Sequence, residues 1–216
     1  MQSMTRLQAL LKPLAKSDVD RLAREHGAQR YGKGALTVWD QLLVMLHGQF
    51  VQAPSLRGAL QSFNAHKARL AALQTHELRR STLSDGNRRA GSATVLSQVL
   101  QGLIRQLDGC RDKRVLGATS LIDSTPLTLK GRGFDVWTLG TKTRRTQGVK
   151  VHVQCDAATH AISRCEISAP NVNDVVQARQ WEIQPGTTCV FDRAYCDYAW
   201  WARMTRQGVK FVTRLK

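Results

Sequence analysis

The feature that most constrains this chain is a change of hydrophobic period near residue 110. Before it, apolar residues recur at helical spacing. Val38, Leu42, Met45 and Leu46 fall on one face of a helix spanning Val38–Phe50, and Thr37 stands where a capping residue belongs. Residues 5–12 read as a short apolar-rich helix or turn closed by Pro13. Ser17 or Asp18 caps a second helix, with Val19, Leu22 and Ala23 on one face. Residues 31–34 form a glycine-rich linker. Pro54 and Ser55 open another helix carrying Leu56, Leu60 and Phe63, and residues 69–78 also read as helical. The run Ser81-Thr82-Leu83-Ser84-Asp85 is dense in capping side chains. It precedes a helix with Asn87, Arg88 and Arg89 in its first turns and Val95, Leu96, Val99, Leu103 and Leu107 beyond.

After residue 110 the pattern becomes that of strands, rich in Val, Ile, Thr and Phe: residues 115–123, 148–156, 161–168, 187–192 and 209–214. Asp156-Ala157-Ala158-Thr159 is a hairpin turn joining the second to the third. Helices are predicted over residues 173–181 and 198–207, the latter stopped by Gly208. The expected architecture is therefore mixed, α+β or α/β. An all-helical domain over residues 1–110 precedes a mixed sheet with flanking helices over residues 111–216.

Composition narrows the function. Lys and Arg number 32 against 16 Asp and Glu, a net charge of +16, and the excess divides equally between the two halves. Basicity of the whole chain rather than of a tail points to nucleic acid as partner. No helix pairs a Lys-rich face with a Trp/Phe face, and no apolar run approaches the ~20 residues of a membrane span. Five cysteines, with no C-x-x-C pair, argue against a disulfide framework or a zinc site and for a reducing cytoplasm.

Two short boxes carry the chemistry. Leu121-Ile122-Asp123-Ser124-Thr125 and Val190-Phe191-Asp192-Arg193-Ala194-Tyr195 each set an aspartate at the end of an apolar, strand-like run. If the first and fourth strands are adjacent and parallel, both exits meet at one sheet edge, where ligands of open α/β sheets gather. Two carboxylates there repel unless a cation neutralises them, and Mg²⁺ suits oxygen ligands while keeping room for water and phosphate. Two such ions about 3.5–4 Å apart serve phosphodiester chemistry.

These boxes resemble the first and second aspartate boxes of bacterial insertion-sequence transposases of the DDE class, whose catalytic domain is RNase H-like. Gly148-Val149-Lys150-Val151-His152, residues 171–174 and Phe211-Val212-Thr213-Arg214 resemble further segments of that domain. Tyr31-Gly32-Lys33-Gly34, Ser55-Leu56-Arg57 and residues 81–89 resemble the helical region that precedes it. The resemblance implies Mg²⁺-dependent cleavage and transfer of DNA strands. Two ions (Mn²⁺ a possible substitute) would be held by Asp123, Asp192 and a glutamate, with double-stranded DNA of element ends and target as partner. It also implies a homo-oligomer assembled on DNA and a bacterial, nucleoid-associated location in the cytoplasm.

One departure matters. The family places its glutamate well downstream of the second aspartate, in a box of Tyr, Arg, Glu and Lys, whereas here the last glutamate is Glu182. The chain thus looks cut short after its fifth strand, an incomplete RNase H-like domain. The expectation that follows is a chain that binds DNA without transposing it. A non-catalytic DNA-binding protein, inhibiting an intact transposase through mixed oligomers, is the alternative; a stand-alone nuclease of similar fold is a third reading. Arg193, Lys142, Arg144, Arg145 and Lys150 are candidate phosphate contacts. Arg88 and Arg89 are either a groove-reading element or a plain helix face. Asp174 and Asp197 read as helix caps, His152 as a packed or solvated sheet residue, and Trp200 and Trp201 as core.

Overall fold

The computed structural model describes residues 2–32, 34–109, 119–129 and 147–214. They form two compact units, Met1–Leu103 and Ile104–Lys216.

The first unit is helical: α1 (Gln2–Leu10), α2 (Lys16–Glu25), α3 (Val38–Phe50), α4 (Leu56–Asn64), α5 (Lys67–Leu70), a 3-10 turn over Ala71–Leu73, α6 (Arg80–Asn87) and the greater part of α7 (Ala90–Gly109). Helix α3 is its axis and touches α1, α2, α4 and α6. It is buried on most sides, through Val38, Trp39, Asp40, Gln41, Leu43, Val44 and His47, as expected of a helix that is apolar nearly all round. Its start is fixed by a capping box. The Thr37 hydroxyl accepts from the Asp40 amide, and Asp40 Oδ2 accepts from the Thr37 amide at 2.9 Å. Asp40 Oδ1 accepts in addition from the Thr75 hydroxyl at 2.5 Å. Trp39 Nε1 donates to the Leu73 carbonyl at 2.8 Å. At the start of α7, a Cβ on Gly91 would lie 2.4 Å from the His26 carbonyl oxygen, so only glycine permits this approach.

Three local expectations are corrected. Ala15, without a side-chain cap, precedes α2, so neither Ser17 nor Asp18 caps it. Helix over residues 69–78 breaks after Leu73, because Gln74 turns left-handed (φ 55) and the Leu73 carbonyl is taken by Trp39. The capping-rich run at residues 81–85 precedes the helix that carries Val95 to Leu107 but does not cap it: the run lies inside a helix of its own, α6, and α7 starts at Ala90. Local propensity loses in the last two cases to hydrogen bonds made far away in sequence, as where the Asn64 side chain holds the backbone of Leu78 through both its N–H and C=O.

The second unit is a five-stranded sheet of order β3-β2-β1-β4-β5, built from β1 (Thr119–Thr128), β2 (Gly148–Asp156), β3 (Ile162–Ser168), β4 (Thr188–Val190) and β5 (Lys210–Val212). β2 runs antiparallel to both neighbours, and β4 lies parallel to β1 and to β5. One reversed strand in this order is the mixed sheet of an RNase H-like fold. Two helices join it: α8 (Asp174–Ala178) and α9 (Tyr198–Arg206). β1 overruns its expected end at Asp123 by five residues, through Pro126, paired only with β2 there. Proline is tolerated because that stretch has one open edge.

The core of this unit is aromatic. Phe191, Tyr195, Trp181, Trp200 and Trp201 pack with Ile122, Val175, Met204 and Val209; Phe191 lies 5.1 Å from Trp200, and Trp201 lies 5.1 Å from Phe211, between ring centroids. Both Trp200 and Trp201 are therefore core. Helix α9 ends as the sequence implies: Gly208 adopts φ +74, the Val209 amide bonds to the Met204 carbonyl and the Gly208 amide to Thr205.

Two stability outcomes follow. Asp40→Ala strips the acceptor from the Thr37 amide and the Thr75 hydroxyl together. It should lower unfolding free energy by about 2–3 kcal/mol, read by denaturant titration, with Asp40→Asn losing less. His47 is fully buried, and burial, helped by nearby His66, pushes its pKa down. The unfolded chain binds a proton below the usual ~6.5 while the fold keeps the ring neutral. The neutral ring therefore supports stability above that pH, and support is lost as pH falls through the window toward the folded value. The unfolding midpoint should drop between about pH 7 and 5, and His47→Gln should flatten that slope.

Candidate active site

The site is set by where two strands stop pairing. β1 and β4 are hydrogen-bonded in parallel through Thr119↔Thr188, Ser120↔Cys189 and Leu121↔Val190. Two residues beyond the last pair on each strand stand Asp123 and Asp192. The register thus brings the two aspartates to equivalent positions on adjacent strands, at one sheet edge. Both side chains are exposed, while their neighbours Ile122 and Phe191 are buried at 3% and 5%.

Each carboxylate is oriented locally through one oxygen. Asp123 Oδ1 accepts from the Ser124 amide at 2.8 Å, and Asp192 Oδ1 from the Ala194 amide at 2.9 Å. Asp192 thereby caps the 3-10 turn Arg193–Tyr195, and its own carbonyl accepts from the hydroxyl of Thr213, the residue after β5. The two Oδ2 atoms make no hydrogen bond among the described residues. Exposed, oxygen-only and free at one atom each, this pair fits a hard divalent cation. Among the described residues, no group of three His, Cys, Asp or Glu side chains is arranged to hold a metal.

Beneath the pair lies a polar network that the sequence did not disclose. Ser124 Oγ donates to Asp174 Oδ1 at 2.7 Å. Lys150 Nζ stands 3.0 Å from the same oxygen and donates to the Val172 carbonyl at 2.8 Å. The Lys150 and Asp174 side chains retain only 14% and 18% exposure. Asp174 is thus not the cap of α8; that role belongs to Asn173, which accepts from the Val175 amide. The sequence signal that could have found Asp174 was its place in the segment over residues 171–174. Tyr195, 1% exposed, completes the floor. Burial raises its pKa strongly, a nearby Ser124 opposes this, and the carboxylates of Asp174, Asp123 and Asp192 add to the rise. Its phenol stays protonated.

The other candidates sort as follows. Lys150, expected as a phosphate contact, has its ammonium engaged inside the protein. His152 is 1% exposed, its Nε2 2.8 Å from the Ser168 hydroxyl. Burial, outweighing the opposing pull of Asp174, lowers its pKa, so it is a packed neutral ring. Arg193 is exposed beside Asp192. Asp197 caps α9, accepting from the Trp200 amide at 2.7 Å, and pairs with Arg179. Arg88 and Arg89 do not sit within a helix start: Arg88 is the C-terminal cap residue of α6, exposed, and Arg89 donates to the Leu36 carbonyl at 3.0 Å. Arg89 is a tether between segments, whereas Arg88 makes no side-chain hydrogen bond or ion pair among the described residues. Lys142, Arg144 and Arg145 lie outside the described residues.

The Transposase DDE domain family matches residues 117–216, and a domain of unknown function (DUF4372) matches residues 2–73. The protein of Sinorhizobium fredii (strain NBRC 101917 / NGR234) named "Putative transposase y4zB" is 34% identical over 135 residues, 62% of this chain and 36% of that protein. The chain thus spans about a third of the length of this curated relative. Among solved structures, a piggyBac transposase in a synaptic complex with hairpin DNA aligns over 93% of this chain and 48% of its own, with a TM-score of 0.49 and 13% identity. No helix among the described residues is long and apolar enough to cross a membrane. Residues 117–216, which carry both aspartates, are similar to the Transposase DDE domain family.

Proposed function

We propose that this chain acts in DNA transposition, with Asp123 and Asp192 holding Mg²⁺ at the sheet edge where strand cleavage and transfer take place. The observation that carries this reading is the equivalent placement of the two aspartates, each two residues past the last β1–β4 pair. When bound, divalent ions would activate the attacking oxygen and stabilise the leaving one. The chain's own part is to fix the carboxylates. The Ser124 and Ala194 amides hold one oxygen of each, and the buried aromatic cluster keeps the end of β4 rigid. Arg193, exposed beside Asp192, is a phosphate contact in this reading, as are Arg88 and the lysine and arginines at positions 142, 144 and 145. The net charge of +16 supports duplex DNA as the partner.

A second reading, DNA binding without strand transfer, is favoured by the engagement of Asp174. This third carboxylate at the sheet edge is neutralised by Lys150 and bonded to Ser124. Incubating the protein with element-end DNA and Mg²⁺ separates the two. Cleavage and joining that vanish in Asp123→Ala and Asp192→Ala, with duplex binding kept, support the first. Duplex binding with no cleavage supports the second. Cleavage that survives either substitution overturns the site.

Duplex binding should be steeply salt-dependent. Affinity should fall roughly a thousandfold or more between 50 and 200 mM salt if six or more phosphates are contacted. Fluorescence anisotropy would read this, and a flat profile would remove the electrostatic argument. Metal should also stabilise the fold. At about a hundred times its dissociation constant, Mg²⁺ or Mn²⁺ should add about 2.7 kcal/mol to unfolding free energy. Asp192→Ala lowers metal-free stability by removing a turn cap, so the readout is the metal-induced difference, which that variant should lose.

A further inference from the structure

We infer that Asp174 is a positioning residue for the Asp123 carboxylate, acting through Ser124 and held in place by Lys150. The inference rests on the reading of Asp123 and Asp192 as metal ligands, and adds to it a buried brace on which ligand geometry depends.

The chain of contacts is short. Asp174 Oδ1 accepts from Ser124 Oγ at 2.7 Å, and the Ser124 amide donates to Asp123 Oδ1 at 2.8 Å. Ser124 is therefore gripped on its side chain from α8 while its backbone grips the ligand. β1 needs such a grip at this point, because past Leu121 it has lost its β4 partner and is paired on one side only. An unpaired strand edge carrying a ligand would otherwise move with solvent, and outer-shell partners of this kind commonly tune metal affinity by 10–100-fold.

Lys150 explains why Asp174 braces rather than ligates. A carboxylate with 18% side-chain exposure is costly to keep charged without a partner. Lys150 supplies that partner at 3.0 Å and is itself anchored on the Val172 carbonyl, just ahead of α8. The bonded set therefore ties β1, β2 and the start of α8 together. His152 stands next to it with its Nδ1 3.9 Å from Asp174 Oδ1, beyond hydrogen-bond reach, and contributes packing.

The test is Mn²⁺ binding by the purified chain, followed by the electron paramagnetic resonance signal of free Mn²⁺, alongside the thermal unfolding midpoint. Five proteins are compared: the wild type, Asp123→Asn, Ser124→Ala, Ser124→Thr and Asp174→Asn. Ser124→Ala is the decisive variant because it cuts the link and leaves the Asp174–Lys150 pair intact. Expected are a loss of at least tenfold in affinity in Asp123→Asn and about tenfold in Ser124→Ala and Asp174→Asn, with Ser124→Thr close to wild type. The unfolding midpoint of Ser124→Ala should stay near that of the wild type. Wild-type affinity in Ser124→Ala, in a protein where Asp123→Asn has lost it, overturns the brace and leaves the metal site standing. Wild-type affinity in Asp123→Asn overturns the metal site, and the brace with it. A fall in affinity that tracks a fall in unfolding midpoint, and that Ser124→Thr does not rescue, reduces the network to a structural role and overturns the inference.

Discussion

The geometry of the sheet edge depends on one event, the end of β1–β4 pairing after Leu121↔Val190. In a parallel pair both chains leave the ladder at the same edge, so whatever follows the last hydrogen bond on one strand faces its counterpart on the other. Past the last β1–β4 pair, an exposed backbone amide can take its acceptor from a nearby side chain. Asp123 and Asp192 supply one, to Ser124 and Ala194. The same bond that satisfies the backbone thus fixes each carboxylate. Structural need and site geometry coincide in two residues.

The two strands reach that edge by different means. β4 is three residues long and is held by packing: Phe191 stacks at 5.9 Å on Phe211 of β5 and at 5.1 Å on Trp200 of α9. Burying rings of this size is the largest apolar contribution available to so short a strand. β1 has no such wedge beyond Ile122. It continues to Thr128 on β2 alone, and polar contacts from Ser124 to Asp174 take over where apolar burial ends. Gripped on one side by rings and on the other by hydrogen bonds, the two ends meet with little freedom.

Much of this was legible in the chain. The change of period divides helices from strands because a helix and a half-buried strand impose repeats of 3.6 and 2. The aspartate boxes announced themselves by ending apolar runs, and Thr37 and Gly208 by the local geometry that caps require. What stayed hidden was every role decided by a distant partner. Residues 81–85 carry capping side chains yet lie within α6. Lys150 looked free for phosphate, being polar in an alternating strand, yet its ammonium meets Asp174. Asp174 itself looked like a cap because aspartate at a helix start usually is one, but Asn173, one residue earlier, takes that bond. Sequence spacing gives the element and the face; it does not give the partner that a fold supplies from fifty residues away.

The three carboxylates near this edge are treated differently for an electrostatic reason. Two unit charges about 4 Å apart repel by only ~1 kcal/mol in water, but by several times that as the surroundings dry. Asp123 and Asp192 are exposed, so water screens their mutual repulsion, and one oxygen of each makes no hydrogen bond among the described residues. Asp174 is not exposed to that degree. Left alone it would repel the pair through the protein and suffer its own desolvation. Lys150 cancels both effects, and the pair is then close to neutral as seen from the edge. A cation at this edge would meet two available charges rather than three, with the third acting as a hydrogen-bond acceptor for Ser124. In a chain of net charge +16, Lys150 is committed inward to Asp174, and Arg193 stays in solvent beside Asp192. The carboxylates thus divide, among the described residues, into two exposed ones with an unbonded oxygen each and a less exposed one paired with Lys150 and bonded to Ser124.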